Sequence, residues 1–155
     1  MKIQQRLNPR QTAPELIQAM VELEEKVRNS GLSPTLIALV KTRASQLNGC
    51  AYCVHMHTRD ARRAGESEER LYLLSAWRES PLYTERERAA LVWTEALTLI
   101  AETHAPDDAY AELAREFSES ERVKLTMLIV AINGWNRIAV GFRLVHPTSD
   151  DLATA

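Results

Sequence analysis

The sequence predicts an all-α protein, a single-domain helical bundle, on three observations. Helix start and stop signals recur along the chain, apolar residues follow a helical period, and no stretch alternates between Gly or Asn turns as paired strands do. At 155 residues the chain has the length of one domain, enough to bury roughly two-thirds of the surface its unfolded form exposes. Its two cysteines are therefore not needed as staples and are free for chemistry. Residues 1–147 are expected to form the helical domain, with about six to seven helices, and 148–155 a flexible polar tail.

Each element has its own signal. Thr12, Pro14 and Glu15 read as an N-cap, a first-turn proline and a capping box, opening a helix with Leu16, Met20, Leu23 and Val27 on one stripe and Gly31 as its stop. Ser33 and Pro34 repeat the start signal for a helix through Leu36, Leu39, Val40 and Leu47 to Asn48-Gly49. A third helix is predicted from the cysteines to near Gly65, and a fourth from Ser67 through Leu71, Leu74 and Trp77 to Pro81. Thr84 with Glu87 caps a fifth, and the run from His104 to Asp108 breaks the chain before a short sixth. The last helix is predicted from near Ser118 or Ser120 to about Val145; being apolar on more than one face, it belongs at the centre of the core or against another subunit. Trp77, Trp93 and Trp135 sit at helical spacing among apolar residues, as core or interface side chains do.

Composition excludes several function classes. The formal net charge of −2 and pI near 6.1 leave no electrostatic footprint for nucleic acid or anionic lipid. The start, Met1 to Arg6, carries charge with no apolar run behind it, so no secretory leader is expected, and no later run is expected to span a bilayer. A cytoplasmic, reducing setting follows, where a close cysteine pair is more often catalytic or metal-binding than a resting disulfide.

The chemistry is concentrated in Ser45-Gln46-Leu47-Asn48-Gly49-Cys50-Ala51-Tyr52-Cys53-Val54-His55-Met56-His57. With about 100° of turn per residue, Cys50, Cys53 and His57 fall within an arc of roughly 60°, whereas Tyr52 and His55 point elsewhere. Side chains on a helix lean toward its N-terminus, which brings the His57 imidazole back over the turn that holds Cys53. Thiols at a helix start or in a Cys-x-x-Cys pair ionise at about pKa 3.5–7.5, and a thiolate beside a second thiol passes through a sulfenic acid to a disulfide. Zinc is the competing reading. The spacing argues against it, since zinc fingers carry their second ligand pair on a distant segment, and haem attachment needs a His directly after the second Cys. Two packed, inert cysteines are the remaining alternative. His55 reads as a surface or subunit-contact residue, and His104 and His146 lie in a loop and at a helix end.

The stretch from Leu36 to Arg63 resembles the alkylhydroperoxidase D-like branch of the carboxymuconolactone decarboxylase family, as do Thr84 to Leu91 and Ala131 to Ile138. The resemblance implies an all-α fold assembled as trimers or hexamers. It further implies a peroxidase that reduces hydroperoxides with electrons from a dithiol donor of protein or lipoyl type, without cofactor or metal. Carried over by position, Cys53 is the peroxidatic thiol, Cys50 the resolving thiol and His57 part of a proton relay. Two positions depart from the best-studied branch. A relay glutamate twelve residues before the first cysteine is here Ala38, and a histidine before the second is here Tyr52. A general acid/base step contributes about 10²–10⁴-fold, so peroxidase activity is expected to be low unless Asp60, Glu22 or Glu24 substitutes. A disulfide reductase or redox sensor using the same thiols is the alternative, and a lactone decarboxylase like the family's namesake a more distant one.

Overall fold

Ser33 accepts the Leu36 N–H and Pro34 takes the first helical position, where a missing N–H costs nothing; the helix they open is the one the others gather around. A computed structural model describes residues 3–148; apart from Thr148, the tail expected over 148–155 lies outside the described residues. The order is α1 (Pro9–Thr12), α2 (Pro14–Arg28), α3 (Pro34–Leu47), α4 (Ala51–Arg63), α5 (Glu68–Leu73), a 3-10 helix (Leu74–Glu79), α6 (Glu85–Thr98), α7 (Ile100–Thr103), α8 (Asp107–Glu116) and α9 (Glu119–Phe142), with no strand among the described residues. The all-α fold is as predicted, with two short helices more than the start signals announce.

α3 packs against α4, α6 and α9, and so buries side chains nearly all round, from Leu36 and Ile37 to Ala44 and Ser45. One cluster joins Val27, Leu36 and Val40 to Trp93, Leu113 and Leu128, and a second joins Leu39 and Leu91 to Leu74, Trp77 and Tyr83. Trp77 and Trp93 are core residues, while Trp135 is only half-buried.

Several boundaries differ from expectation. Thr12 does not cap α2: Pro9 opens a separate turn, α1, capped by Asn8, and Pro14 then forces a new start from Ala13 with no side-chain cap. Within α2 the buried stripe begins at Ile17, and Leu16 faces solvent. The segment after Ser67 is α-helical only to Leu73; Ala76 leaves helical geometry, so Trp77 is delivered to the core by a 3-10 turn. Thr84 with Glu87 and Ser118 with Glu121 both form complete capping boxes. α9 ends at Phe142, three residues short of expectation, because Arg143 turns left-handed at φ 53.

Contrary to expectation, α9 is long and apolar enough, by length and composition, to cross a membrane. Its inner face nevertheless carries polar cargo matched to this core. Asn48, at the end of α3, donates to Oδ1 of Asn133 at 3.0 Å and of Asn136 at 2.9 Å. Asn136 donates in turn to Ser45 Oγ at 2.9 Å, and Asn133 to Thr98 Oγ1 at 3.1 Å. Val123, Val130 and Val140 form an exposed outer side.

Glu95 ties the second cluster to the surface, accepting from Trp77 Nε1 and Arg43 Nε, both at 2.8 Å, and from Arg78 at 2.6 Å. Burial pushes its carboxyl up, but these three donors outweigh burial and hold it below the usual carboxylate range.

Asn136 is 1% exposed and makes two side-chain bonds across the α3–α9 interface. Asn136→Ala removes one of the two acceptors of the Asn48 amide and the donor to the Ser45 hydroxyl, and should lower unfolding free energy by about 3 kcal/mol, as read from urea denaturation. A loss under about 0.5 kcal/mol, the level of an ordinary surface change, would show the network to be dispensable.

Candidate active site around the cysteine pair

The chain leaves α3 through Gly49, whose φ of +63 suits a residue without Cβ. The Cys50 N–H donates back to Ser45 O at 3.0 Å, so the turn is closed from both sides. Cys50 is then the N-cap of α4, and its Sγ accepts the Cys53 N–H at 3.3 Å. A sulfur here occupies the place of the usual Ser or Asp oxygen, facing the unpaired N–H groups and positive end of the helix. Cys53 follows in the first turn, and the two are joined as a disulfide with Cα atoms 5.4 Å apart. Both are buried, at 1% and 2% exposure, against Ala139 of α9. Tyr52 and Leu144 pack at the edge of the pair.

His57 lies one turn beyond Cys53 on α4 and is half-buried. Its Nε2 is buried with no hydrogen-bond partner among the described residues. The expected contact with the Cys53 sulfur is thus not made through that atom. Burial first, and then the positive charges of Lys41 and Arg28, lower its pKa to about 3. The ring is neutral across the physiological range, so the thiolate draws no help from an imidazolium. The charge that could favour it comes from the start of α4.

The structure also sorts the acids considered for the place left by Ala38. Asp60 is exposed and pairs with Arg63 at 3.7 Å; Glu22 is exposed and accepts from Gln18. Glu24 alone enters the buried region, in an ion pair with Lys41. Its Oε2 is buried without a hydrogen-bond partner among the described residues, and Arg28 approaches its Oε1 at 3.7 Å. Lys41, on α3, is only 5% exposed. Sequence reading passed over it, because a lone lysine inside an apolar helix stripe reads as a residue that snorkels to water. Asn133 and Asn136 were seen only as part of a resembling stretch; their contact with Asn48 comes from the packing of α9.

His55, placed outside the site by its angle on the helix, stacks on His146 with ring centroids 4.6 Å apart. Burial, then His146 and Arg59, lower its pKa. It lines a shallow cleft of about 200 Å³ with Tyr52, Met56, Arg59, Asp60, Arg63 and Pro147. Among the described residues no group of three or more His, Cys, Asp or Glu side chains lies together as metal ligands.

The carboxymuconolactone decarboxylase family model matches residues 14–96. The chain is 41% identical over 136 residues to the uncharacterized protein YdfG of Bacillus subtilis, covering 88% of this chain and 92% of that one. It is 33% identical over 103 residues to the uncharacterized protein YnjA of Escherichia coli, covering 66% of this chain and 56% of that one. Among solved structures, ATU0492 of Agrobacterium tumefaciens, a protein of unknown function suggested to be the antioxidant defence protein AhpD, superposes with a TM-score of 0.92 at 53% identity, over 94% of this chain and 100% of that one. The debrominase Bmp8 shares the fold, with a TM-score of 0.79 at 23% identity over 91% of this chain and 75% of that one.

The depressed pKa of His57 has a consequence for stability. An unfolded chain protonates this histidine below its ordinary pKa of 6.5 while the folded chain holds it neutral to about 3. The unfolded state thus binds more protons in that window, and stability falls as pH falls. Between pH 6 and 4 the wild type should lose stability faster than His57→Asn, by up to one proton's slope, about 1.4 kcal/mol per pH unit. Equal slopes in urea titrations would place His57 in an ordinary, solvated environment.

Proposed function

The chain belongs to the carboxymuconolactone decarboxylase family, in its alkylhydroperoxidase D-like branch, and from that premise we propose that it is a thiol-dependent hydroperoxide reductase working through Cys53, Cys50 and His57. The observation that carries the reading is the Cys50–Cys53 disulfide at the start of α4. One sulfur lies at the N-cap and the other within bonding reach of it, the arrangement a reversible two-electron centre needs.

In the proposed cycle the Cys53 thiolate attacks the O–O bond of a hydroperoxide. An S–O bond forms as the O–O bond breaks, giving the Cys53 sulfenic acid, and the departing alkoxide takes a proton to become an alcohol. Sulfur is oxidised by two electrons and the peroxide reduced by two. Cys50 then attacks the sulfenic sulfur, forming the disulfide and releasing water. A dithiol of protein or lipoyl type restores both thiols by exchange, leaving as its own disulfide. His57, neutral and one turn from Cys53, serves as a hydrogen-bond partner rather than a cation. The resemblance supports a homo-oligomer, trimeric or hexameric, and the close cysteine pair fits a cytoplasmic, reducing setting.

A second reading keeps the same thiols without efficient peroxide turnover, as a disulfide reductase or redox sensor. What favours it is Ala38, which leaves α3 without the relay carboxylate, together with two sulfurs buried in the oxidised state.

Pre-reduced protein mixed with an organic hydroperoxide should lose two hydrogens by mass as the disulfide closes, with turnover when a dithiol donor is supplied. Cys53→Ser should fall to background, whereas Cys50→Ser should still react once and accumulate a sulfenic acid that dimedone labels. Peroxide consumption by Cys53→Ser at the wild-type rate would sink the peroxidase reading. Disulfide exchange retained without peroxide consumption would select the second.

A further inference from the structure

Outside the cleft at Tyr52, whose lining includes none of them, a small group of charged and polar side chains is drawn from three helices. α2 supplies Glu24 and Arg28, α3 supplies Lys41 and α4 supplies His57. Lys41 is 5% exposed and pairs with Glu24 Oε1. Two buried atoms of the group have no hydrogen-bond partner among the described residues: Glu24 Oε2 and His57 Nε2. Unpaired buried polar atoms are uncommon, because each forfeits its hydration for nothing. An ammonium has three N–H donors and no acceptor, and Glu24 is the one hydrogen-bond acceptor Lys41 has among the described residues. A buried donor with unused capacity thus lies on the helix packed against the one that carries the unpaired ring nitrogen.

We propose that Lys41, pinned by Glu24, is a positioning residue for the thiol site: its ammonium acts on Nε2 of His57 across one water, and so holds the ring neutral with its proton on Nδ1. The chemistry favours one tautomer. A water that accepts from an ammonium is polarised to donate in turn, so the nitrogen it meets is the unprotonated one and the ring's single proton moves to the other nitrogen. The rival arrangement has Nε2–H donating to Glu24 Oε2, which fixes the opposite tautomer. The two arrangements differ in what they use: the rival takes up Glu24 Oε2 and leaves the remaining Lys41 N–H groups idle, whereas the proposed one engages a Lys41 N–H while Lys41 stays paired to Glu24 Oε1, and the wild-type tautomer distinguishes them.

This assignment changes the meaning of Ala38. The missing carboxylate is not replaced by a second acid; a buried lysine one turn further along α3 sets the state of the histidine instead. With the proton on Nδ1, His57 offers an N–H donor toward a Cys53 thiolate or the oxygen leaving it, and does not act as a base. The inference rests on the reading of Cys50, Cys53 and His57 as one working site, and its test reads the imidazole itself, separately from peroxide turnover.

The full chain, labelled with ¹⁵N at histidine, is examined by long-range ¹H–¹⁵N correlation between pH 5 and 8. In the wild type the expected result is one neutral tautomer of His57, protonated at Nδ1, throughout that range. Lys41→Met should lose that signature, with the ring shifting toward the Nε2–H form or titrating inside the window, and Lys41→Arg should retain it. Glu24→Gln, whose side-chain carbonyl still accepts from Lys41, should also retain it. A wild-type ring protonated at Nε2, or a folded Lys41→Met protein whose ring is unchanged, would overturn the proposal. If Lys41→Met does not fold, the wild-type tautomer and Glu24→Gln still decide it. Peroxide turnover surviving in Cys53→Ser would remove the peroxidase reading and leave this result standing.

Discussion

The side-chain amide of Asn48 closes the end of α3 onto α9, with hydrogen bonds to Asn133 and Asn136 at 3.0 and 2.9 Å, and the rest of the site hangs from that closure. Asn136 reaches back to Ser45, whose carbonyl receives the Cys50 N–H. Two residues after the amide, the chain has turned through Gly49 and begun α4 with a sulfur as its cap. Shifting α9 along α3 would break the amide bonds and move the turn that presents the cysteines. The polar content of the core is therefore concentrated at its functional end, where a satisfied network specifies one geometry more sharply than apolar packing does. The same network explains why a helix apolar enough to cross a membrane by composition lies instead in a protein core: its buried asparagines have partners only here.

Local signals made most of this fold legible. Ser33-Pro34, Ser67, Thr84 with Glu87 and Ser118 with Glu121 all cap helices, because capping is decided within four residues and needs no tertiary information. The misreadings share a cause. Thr12 had the chemistry of a cap, but the proline at position 9 opened a turn earlier; Leu16 had the spacing of a core residue, yet the neighbour Ile17 is the one that is buried. Which of two adjacent apolar residues faces inward depends on where α2 packs, and no local rule contains that. The pairing of the cysteines was legible for the same reason as the caps, since three residues at a helix start fix their separation. Lys41 was not, because its partner stands 17 residues away on another helix.

Buried charge in this chain is placed in two ways that differ in consequence. Glu95 collects three donors and is fully used, so its carboxylate is a structural hub. Glu24 and Lys41 are paired with capacity left over, and His57 Nε2 is also unpaired among the described residues. A buried ion pair contributes little net stability, since desolvation offsets most of its attraction. Its retention next to His57 is better accounted for by what it does to the neighbouring ring than by what it adds to folding.

A neutral histidine shifts the burden of thiol activation onto the backbone of α4, and that division of work favours different sulfurs at different steps. The Cys53 N–H points at Cys50 Sγ, so charge developing on Cys50 is the charge the helix start stabilises most directly. Under the proposed roles this assists the two steps in which Cys50 matters. As a thiolate it closes on the oxidised Cys53, and as a leaving group it departs when a dithiol opens the disulfide at Cys53, exchange being faster when the departing thiol is more acidic. Cys53 lies one turn nearer His57 along α4, and under the proposed roles an N–H donor there acts on the oxygen that leaves the sulfur. A cationic ring would instead have drawn negative charge to the nearer sulfur, Cys53, at every step. Keeping His57 neutral thus allows two thiols three residues apart to be told apart by their surroundings.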